Sequence, residues 1–257
     1  MAEQITVTGL VLMAGPIGDY DKRLVLLTRE RGRISCFAPG ALRPRSTLRA
    51  ASNAFVFGEF TLRESRTSFT LEKVSVKNYF TELAMLQPGV YYGFYFLDLA
   101  NYFGRENVDE SDMINLLYVT LLALQKPEIP DPLIRRIFEL RTMYIQGIYP
   151  QLFSCNLCGK QEGLTHYSQQ AQGLVCQECL DKDPGGASER FFDRICLQEP
   201  ALYALQYILG APITRLYGFA VTQPVFEQLD EIISGWMKKQ IDRPLKSLEV
   251  LDVMIGT

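Results

Sequence analysis

The sequence predicts an α+β protein with a small all-β part first, a helical part after it, and a cysteine-rich insert inside the helical part. Within residues 1–80 the apolar runs are short, rich in β-branched and aromatic residues, and separated by turn residues. Further along, the apolar residues recur at helical spacing. Four of the six cysteines form two Cys-x2-Cys pairs. The chain has 257 residues, a length that suits two moderate domains or one large one.

Five strand candidates lie in the first domain, which we place at residues 1–80. Gly15-Pro16 ends the first of them, and the turn residues Arg29–Gly32 separate the second from the third. Five short strands with turns between them predict a small barrel or sandwich. The strand candidates are residues 4–14, 22–28, 33–38, 55–63 and 69–79.

The remaining residues, 81–257, are predicted to form a helical domain. Asp131 followed by Pro132 is a helix start, because Asp is a favoured N-cap and Pro suits the first helical position. Residues 150–190 lack helical spacing and read as a loop-rich insert. The helix candidates are residues 88–104, 113–125, 132–146, 199–209 and 224–239.

The insert carries the pattern Cys155-x2-Cys158-x17-Cys176-x2-Cys179. Two Cys-x2-Cys pairs at this separation are typical of a zinc site, and four thiolates leave no open position for water, so the site is predicted to be structural. Free thiols and disulfides are the alternatives, and a cytosolic compartment disfavours stable disulfides. His166 could substitute as a ligand, but four cysteines already suffice, so it is predicted to be a surface or packing residue. Cys36 and Cys196 stand alone and are predicted to be small buried side chains.

The charge is uneven along the chain: residues 1–80 carry a net charge of +5 and the remainder −8. Eight basic residues fall within 28 positions, with Glu30 the one acid among them. Arginine suits phosphate binding and base stacking, so this stretch is predicted to bind nucleic acid, with a solvated surface as the alternative. The predicted DNA-binding residues are Lys22, Arg23, Arg29, Arg31, Arg33, Arg43, Arg45 and Arg49.

Aromatic residues in the β domain are candidates for base stacking, although most strand aromatics of a small barrel belong to its core. The candidates are Tyr20, Phe37, Phe55, Phe57 and Phe60.

The motifs of common enzymes are missing from the sequence: there is no phosphate-binding loop, no G-x-G-x-x-G, no H-E-x-x-H and no G-x-S-x-G. His166 is the single histidine, which removes most Ser-His and Cys-His schemes. We therefore expect a binding protein that is not an enzyme. No secretory signal or membrane-spanning run is recognised, so we expect a soluble cytoplasmic protein.

Several motifs in order resemble the bacterial RecO family. They are Gly18-Asp19-Tyr20-Asp21, Ala38-Pro39-Gly40-Ala41-Leu42-Arg43-Pro44-Arg45-Ser46, Leu133–Leu140, Gly147-Ile148-Tyr149-Pro150 and Arg243–Leu248. Asp19 stands where the family commonly has Glu, and Leu42 interrupts the usual Gly-Ala-Arg run.

The resemblance implies an N-terminal five-stranded OB-fold β-barrel followed by an all-helical domain that carries a C4 zinc-finger insert. It implies binding of single- and double-stranded DNA near the nucleoid, annealing of complementary strands, and loading of the RecA recombinase together with RecR. It also implies binding of the C-terminal tail of single-stranded-DNA-binding protein. Arg136 is the candidate cation for that tail, and the alternative is a solvated helix residue or an intramolecular ion pair.

Three other functions stay open on the sequence. A zinc-containing nuclease or nucleotide-modifying enzyme would cleave or turn over a substrate. An OB-fold accessory factor would prefer RNA and would not anneal strands. A pure protein adaptor would show no salt-sensitive affinity for DNA.

Overall fold

The computed structural model describes residues 3–66, 68–182, 191 and 193–256. The chain forms two compact units. The first comprises Met1–Pro127 together with Pro244–Thr257, and the second comprises Glu128–Arg243. The second unit is therefore inserted between two parts of the first.

A closed five-stranded barrel makes up the N-terminal part of the first unit, with the order β1-β2-β3-β5-β4. All neighbouring strands are antiparallel except β3 and β5, which close the barrel with a parallel pair. This topology is the OB-fold. The strands are β1 (Glu3–Ile17), β2 (Asp21–Thr28), β3 (Gly32–Ala38), β4 (Phe57–Glu64) and β5 (Phe69–Asn78).

The barrel closes because β1 is long enough to pair along both of its edges. Glu3–Leu10 pairs with β4 and Gly9–Ile17 pairs with β2, with a register shift between Val11 and Met13. The side chains that alternate inward fill the interior, including Leu24, Leu26 and Phe60. A short helix, α1 (Leu48–Ala51), lies between β3 and β4 and adds Leu48 to this core.

Three longer helices complete the first unit: α2 (Gly89–Phe103), α3 (Ser111–Ala123) and α8 (Lys246–Ile255). A 3-10 turn at Leu83–Met85 precedes α2. Helix α2 is buried along much of its length because it packs against strands of the barrel as well as against α8. Ser247 donates a hydrogen bond to Asp98 across the α2–α8 contact, at 2.7 Å.

The second unit is built on α4 (Asp131–Ile145), α6 (Glu199–Gly210) and α7 (Gln223–Gln240), with a 3-10 turn at Ile213–Arg215 after α6. Between α4 and α6 lies a small sheet of order β6-β8-β7-β9. Its strands are β6 (Gln151–Cys155), β7 (Leu164–Ser168), β8 (Gly173–Cys176) and β9 (Ile195–Cys196), and α5 (Gln177–Asp181) follows β8 directly.

The predicted fold class is confirmed: a five-stranded OB-fold barrel precedes the helices, and the four cysteines lie in the later part of the chain. The insert, predicted at residues 150–190, holds short strands where loops were expected, and its residues 183–190 lie outside the described part. Strand β5 ends at Asn78, close to the predicted domain boundary at residue 80, whereas the compact units divide after Pro127 and Arg243. Among the helices of the described ranges, none is both long and apolar enough to cross a membrane.

Candidate functional site

The four paired cysteines meet at one point in the second unit. The sulfur atoms of Cys155, Cys158, Cys176 and Cys179 all lie within 4.8 Å of one another. The separation is 3.9 Å for Cys155–Cys179 and 3.7 Å for Cys158–Cys176. A tetrahedral zinc ion with Zn–S bonds of about 2.3 Å places its sulfurs about 3.8 Å apart. The geometry therefore fits a tetrahedral metal ion.

Backbone geometry explains how each pair converges. In the first pair, the amide of Gly159 donates to the carbonyl of Cys155 at 2.8 Å, and Gly159 takes a φ of +78° that favours glycine. In the second pair, Cys176 is the N-cap of α5 and Cys179 lies on that helix, so both sulfurs face the same side. The two pairs are joined directly, because the Cys176 amide donates to the Cys155 sulfur at 3.4 Å.

The electrostatics of the cluster favour a bound cation. Burial tends to raise the pKa of Cys155, but backbone amides, that of Cys176 foremost, donate to its sulfur and lower the pKa to about 6. Burial and hydrogen bonding with neighbouring sulfurs raise the pKa of Cys176 and of Cys179. Four thiolates at these separations repel one another unless a cation lies between them.

The other cysteines and the histidine lie apart from the cluster. Cys36 is buried in the barrel core, as expected, and burial raises the pKa of its thiol to about 12. The expectation for Cys196 was wrong: it is exposed, because it lies at the edge of the small sheet on the two-residue strand β9. The Nδ1 atom of His166 is 2.9 Å from the Thr165 hydroxyl, and burial lowers the pKa of the imidazole.

The eight predicted DNA-binding residues separate into three groups in the first unit. Arg29, Arg31 and Arg33 lie at the β2–β3 turn and are engaged by other side chains of the unit. Arg29 donates to Asn115 at 2.9 Å, Arg31 pairs with Glu64 at 3.3 Å, and Arg33 donates to Asn101 at 3.4 Å. These three contacts help to hold the β2–β3 turn against neighbouring side chains of the first unit.

Lys22 is the second group by itself, and the structure gives it a different role from the expected DNA contact. Its side chain is buried, with 8% exposed. Its ammonium donates to the side-chain oxygen of Asn53 at 2.7 Å and to the carbonyls of Arg49 and Ser52 at 3.2 and 3.5 Å. Burial, and then the charge of Arg49, lower the pKa of Lys22. Lys22 therefore holds the end of α1 in place and is not free to meet a phosphate.

Residues 39–53 form the segment that Lys22 holds, which includes the short helix α1. We call it the basic loop because it carries Arg43, Arg45 and, on α1, Arg49. Asp21, next to Lys22, accepts a hydrogen bond from the Gly40 amide at 2.7 Å. The Leu42 amide donates to the Tyr20 carbonyl at 2.8 Å. Tyr20, which precedes β2, and Asp21 and Lys22, which begin it, thus fix both ends of the basic loop.

The third group is exposed. Arg43, Arg45 and Arg49 project from the basic loop, and Arg23 is exposed on β2, where its Nε donates to Ser35 at 3.0 Å. Arg23 is six residues from Arg29, a distance of about 20 Å along a strand. The exposed arginines are therefore at the opposite end of the β2–β3 hairpin from the first group.

The aromatic candidates for base stacking divide into buried and exposed side chains. Phe55, Phe57 and Phe60 are buried and belong to the packing of the unit. Tyr20 is 54% exposed and Phe37 is 40% exposed. Phe37 lies directly opposite Arg23 in the β2–β3 register, so both are on the outer side of these strands. Strands 2 and 3 and the first loop are where OB-folds hold oligonucleotides.

Arg136 lies in the second unit and forms the intramolecular ion pairs that were the alternative to partner binding. It is 7% exposed and contacts Glu139 at 2.5 Å and Asp230 at 2.6 Å. Burial by itself lowers the pKa of Arg136, but the charges of Glu139 and Asp230 outweigh it and raise that pKa. The guanidinium joins α4 to α7 and is not open to an incoming carboxylate.

Comparison with known proteins agrees with this architecture. The family described as "Recombination protein O N terminal" matches residues 1–80, and "Recombination protein O C terminal" matches residues 89–249. This chain belongs to the RecO family. Because the RecO family descriptions match both the barrel and most of the later part, family membership covers both units of the chain.

Curated relatives align with this chain over two thirds of its length or more. The chain is 25% identical to the DNA repair protein RecO of Acetivibrio thermocellus over 248 residues, which is 96% of each chain. It is 26% identical to the DNA repair protein RecO of Bacillus subtilis over 250 residues, 96% of this chain and 93% of that protein. It is 31% identical to that of Bacillus pumilus over 179 residues, 68% of each.

Reasoning from the sequence missed the residues that position the basic loop and neutralise Arg136. Asp21 is part of the RecO-like motif Gly18-Asp19-Tyr20-Asp21, so the motif marked its position although not its hydrogen bond to Gly40. Asn53 and Asp230 carried no signal, because each is far along the chain from its partner.

We expect Lys22→Met to destabilise the first unit by about 1–3 kcal/mol, because it leaves buried carbonyl oxygens without a donor. Amide hydrogen exchange in the basic loop should accelerate in the same variant. Urea unfolding and hydrogen exchange measure the two effects. Lys73→Met, which changes an exposed lysine on β5, is the matched control. Equal unfolding midpoints for the two variants would show that Lys22 does not hold the loop.

We expect Arg136→Met to destabilise the second unit by about 3–5 kcal/mol, because it leaves Glu139 buried beside fewer cations. Thermal and urea unfolding measure this loss. Lys182→Met, which breaks an exposed ion pair with Glu178, is the control and should change the midpoint little. An Arg136→Met protein as stable as the wild type would return Arg136 to the set of candidate partner contacts.

Proposed function

We propose that this RecO family chain is a DNA-binding recombination mediator. It anneals complementary single strands and, together with RecR, helps to load RecA onto strands coated with single-stranded-DNA-binding protein. The observation that carries the proposal is the exposed basic loop on the strand 2–3 side of an OB-fold barrel. Membership of a family whose relatives are described as DNA repair proteins supports the same function.

DNA is held mainly through its phosphates in this proposal. Arg43, Arg45 and Arg49 are exposed on a loop whose ends are already fixed, so binding orders little additional backbone. Guanidinium groups suit phosphate oxygens because they donate in a planar fork. Neutralised phosphates release counterions, so affinity falls as salt rises.

Annealing requires no bond chemistry. A basic face that holds one strand lowers the repulsion that a second strand meets, and it keeps the two strands near each other until they pair. The protein therefore acts without a catalytic residue or a nucleotide cofactor. A cytoplasmic, nucleoid-associated location follows from this substrate.

The metal of the second unit is zinc in this proposal, held by Cys155, Cys158, Cys176 and Cys179. Four thiolates satisfy tetrahedral zinc completely, so the ion stabilises the insert and does not activate water. Cys155 belongs to β6, Cys176 to β8 and Cys179 to α5, so the ion crosslinks these three elements of the insert.

The partner proteins of this proposal are RecR and the acidic tail of single-stranded-DNA-binding protein, with RecA reached indirectly. They rest on the family resemblance. A tail carboxylate needs an accessible cation beside apolar surface. Arg136 does not supply that cation, since Glu139 and Asp230 already neutralise it.

Replacing Arg43, Arg45 and Arg49 together with Ala should weaken single-strand binding at least about tenfold at low salt. The plot of log affinity against log salt should flatten by about two units, since each phosphate contact contributes about 0.7 on a single strand. Fluorescence anisotropy over a salt series measures both quantities.

The matched control replaces Lys73, Lys77 and Lys126 with Ala, which removes the same charge from exposed positions outside the basic loop. It should keep the wild-type slope. An unchanged affinity and slope in the arginine variant would reject the basic loop as the DNA interface. Strong binding to RNA without binding to DNA would instead favour an RNA accessory factor.

Cys155→Ser should reduce bound zinc from about one ion per chain to nearly none and lower the melting temperature, because the tetrahedral shell is broken. Metal analysis of the purified protein and thermal unfolding measure these changes. Cys196→Ser alters an exposed thiol of the same sheet outside the cluster and should retain the metal. Wild-type zinc content and melting in Cys155→Ser would contradict a structural zinc site.

A further inference from the structure

We propose that Tyr20 and Arg43 form a clamp for one unpaired base, so that the basic face prefers single strands to duplex. This inference rests on the proposed function and adds a specificity-determining residue, Tyr20, to the basic loop. The clamp would hold the flat face of a base, while neighbouring arginines hold the strand by its phosphates.

An exposed aromatic ring paired with a cation is the first observation. Tyr20 lies in the turn between β1 and β2 and is 54% exposed. The guanidinium carbon of Arg43 is 5.4 Å from the centre of the Tyr20 ring, in cation–π range. Exposed aromatic rings lose contact with water when a planar ligand stacks on them, and every base presents such a plane.

The second observation is an open cleft at the same residues. It has a volume of about 550 Å³ and is lined by Tyr20, Arg43, Pro44 and Arg45. Pro44 contributes a rigid apolar wall, and the two arginines contribute charge. An aromatic ring, an apolar wall and guanidinium groups together match a nucleotide, which has an apolar flat base joined to a phosphate.

The third observation is that the clamp is held in place from inside the unit. The Leu42 amide donates to the Tyr20 carbonyl at 2.8 Å, and the Arg43 amide donates to the Gly40 carbonyl at 3.0 Å. The Gly40 amide is in turn bound by Asp21 at 2.7 Å. The backbone positions that carry the ring and the guanidinium therefore share one hydrogen-bonded frame, so little ordering of the backbone is needed when a base binds.

Pairing decides which form of DNA can use this clamp. Bases inside a duplex are stacked on both faces, so their planes are not available unless the helix is opened. Unpaired bases are available without that cost. A single strand therefore gains from bases as well as phosphates, and a duplex gains from phosphates alone.

The test compares wild-type protein and Tyr20→Leu on three ligands at one salt concentration. The ligands are an oligothymidine of about 20 nucleotides, longer than the usual OB-fold site, an abasic strand of equal length, and a blunt duplex. Wild-type protein should bind oligothymidine about tenfold more tightly than the abasic strand, the loss expected for one stacked base. Tyr20→Leu should bind both strands equally and should keep wild-type affinity for the duplex.

Tyr79→Leu is the matched control, since Tyr79 is a similarly exposed tyrosine of the first unit that follows the far end of β5. It should keep the preference for bases. The clamp is rejected if Tyr20→Leu still prefers oligothymidine to the abasic strand, or if it weakens all three ligands equally. The wild-type comparison needs no variant, so equal wild-type affinity for the two strands rejects the clamp even if Tyr20→Leu fails to fold.

The outcomes also separate this inference from the proposed function. Salt-sensitive DNA binding that depends on Arg43, Arg45 and Arg49, with no dependence on bases, removes the clamp and leaves the mediator proposal standing. Absence of DNA binding by the wild-type protein removes both.

Discussion

A buried ammonium group, that of Lys22, is the interaction on which the proposed DNA interface depends. Its three oxygen partners belong to the end of α1 and the residue beyond it, and its neighbours Tyr20 and Asp21 bind the start of the same loop. A loop rich in arginine would otherwise repel itself and remain mobile. Internal hydrogen bonds instead fix its backbone, while its guanidinium groups stay in water.

Internal partners decide which charges of this chain are available to a ligand. Lys22 and Arg136 are buried and bonded to oxygen atoms of their own unit, and Arg29, Arg31 and Arg33 each contact a side-chain oxygen at the β2–β3 turn. Arg43, Arg45 and Arg49 project outward. The cysteine cluster follows the same principle with opposite sign, because its four thiolates gain a partner when a cation binds between them. The number of basic residues in the sequence therefore overestimates how many of them are available to a ligand.

The sequence was sufficient for those parts of the structure that local pattern determines. Strand and helix ranges agree closely with their predicted positions, since alternation and helical spacing reflect burial of one face. The Cys-x2-Cys spacing located the cysteine cluster because a tight turn brings both sulfurs together. The sequence did not show that Lys22 is buried whereas Arg45 is exposed, because Asn53 and the other partners of Lys22 come near it only in the folded chain. Helix α8 was not predicted from the sequence. The ion pair of Arg136 with Asp230 was not predicted either, because the two residues are 94 positions apart.

The central claim is that a pre-formed basic face on the barrel brings DNA strands together. Strand annealing tests this claim most directly. Complementary oligonucleotides would be mixed with the purified wild-type protein over a salt series, bare and coated with single-stranded-DNA-binding protein, without any nucleotide cofactor. We expect accelerated annealing of both, lost as salt rises because phosphate contacts are screened. Failure to anneal either substrate at low salt, by a protein that is folded and loaded with metal, would contradict the claim.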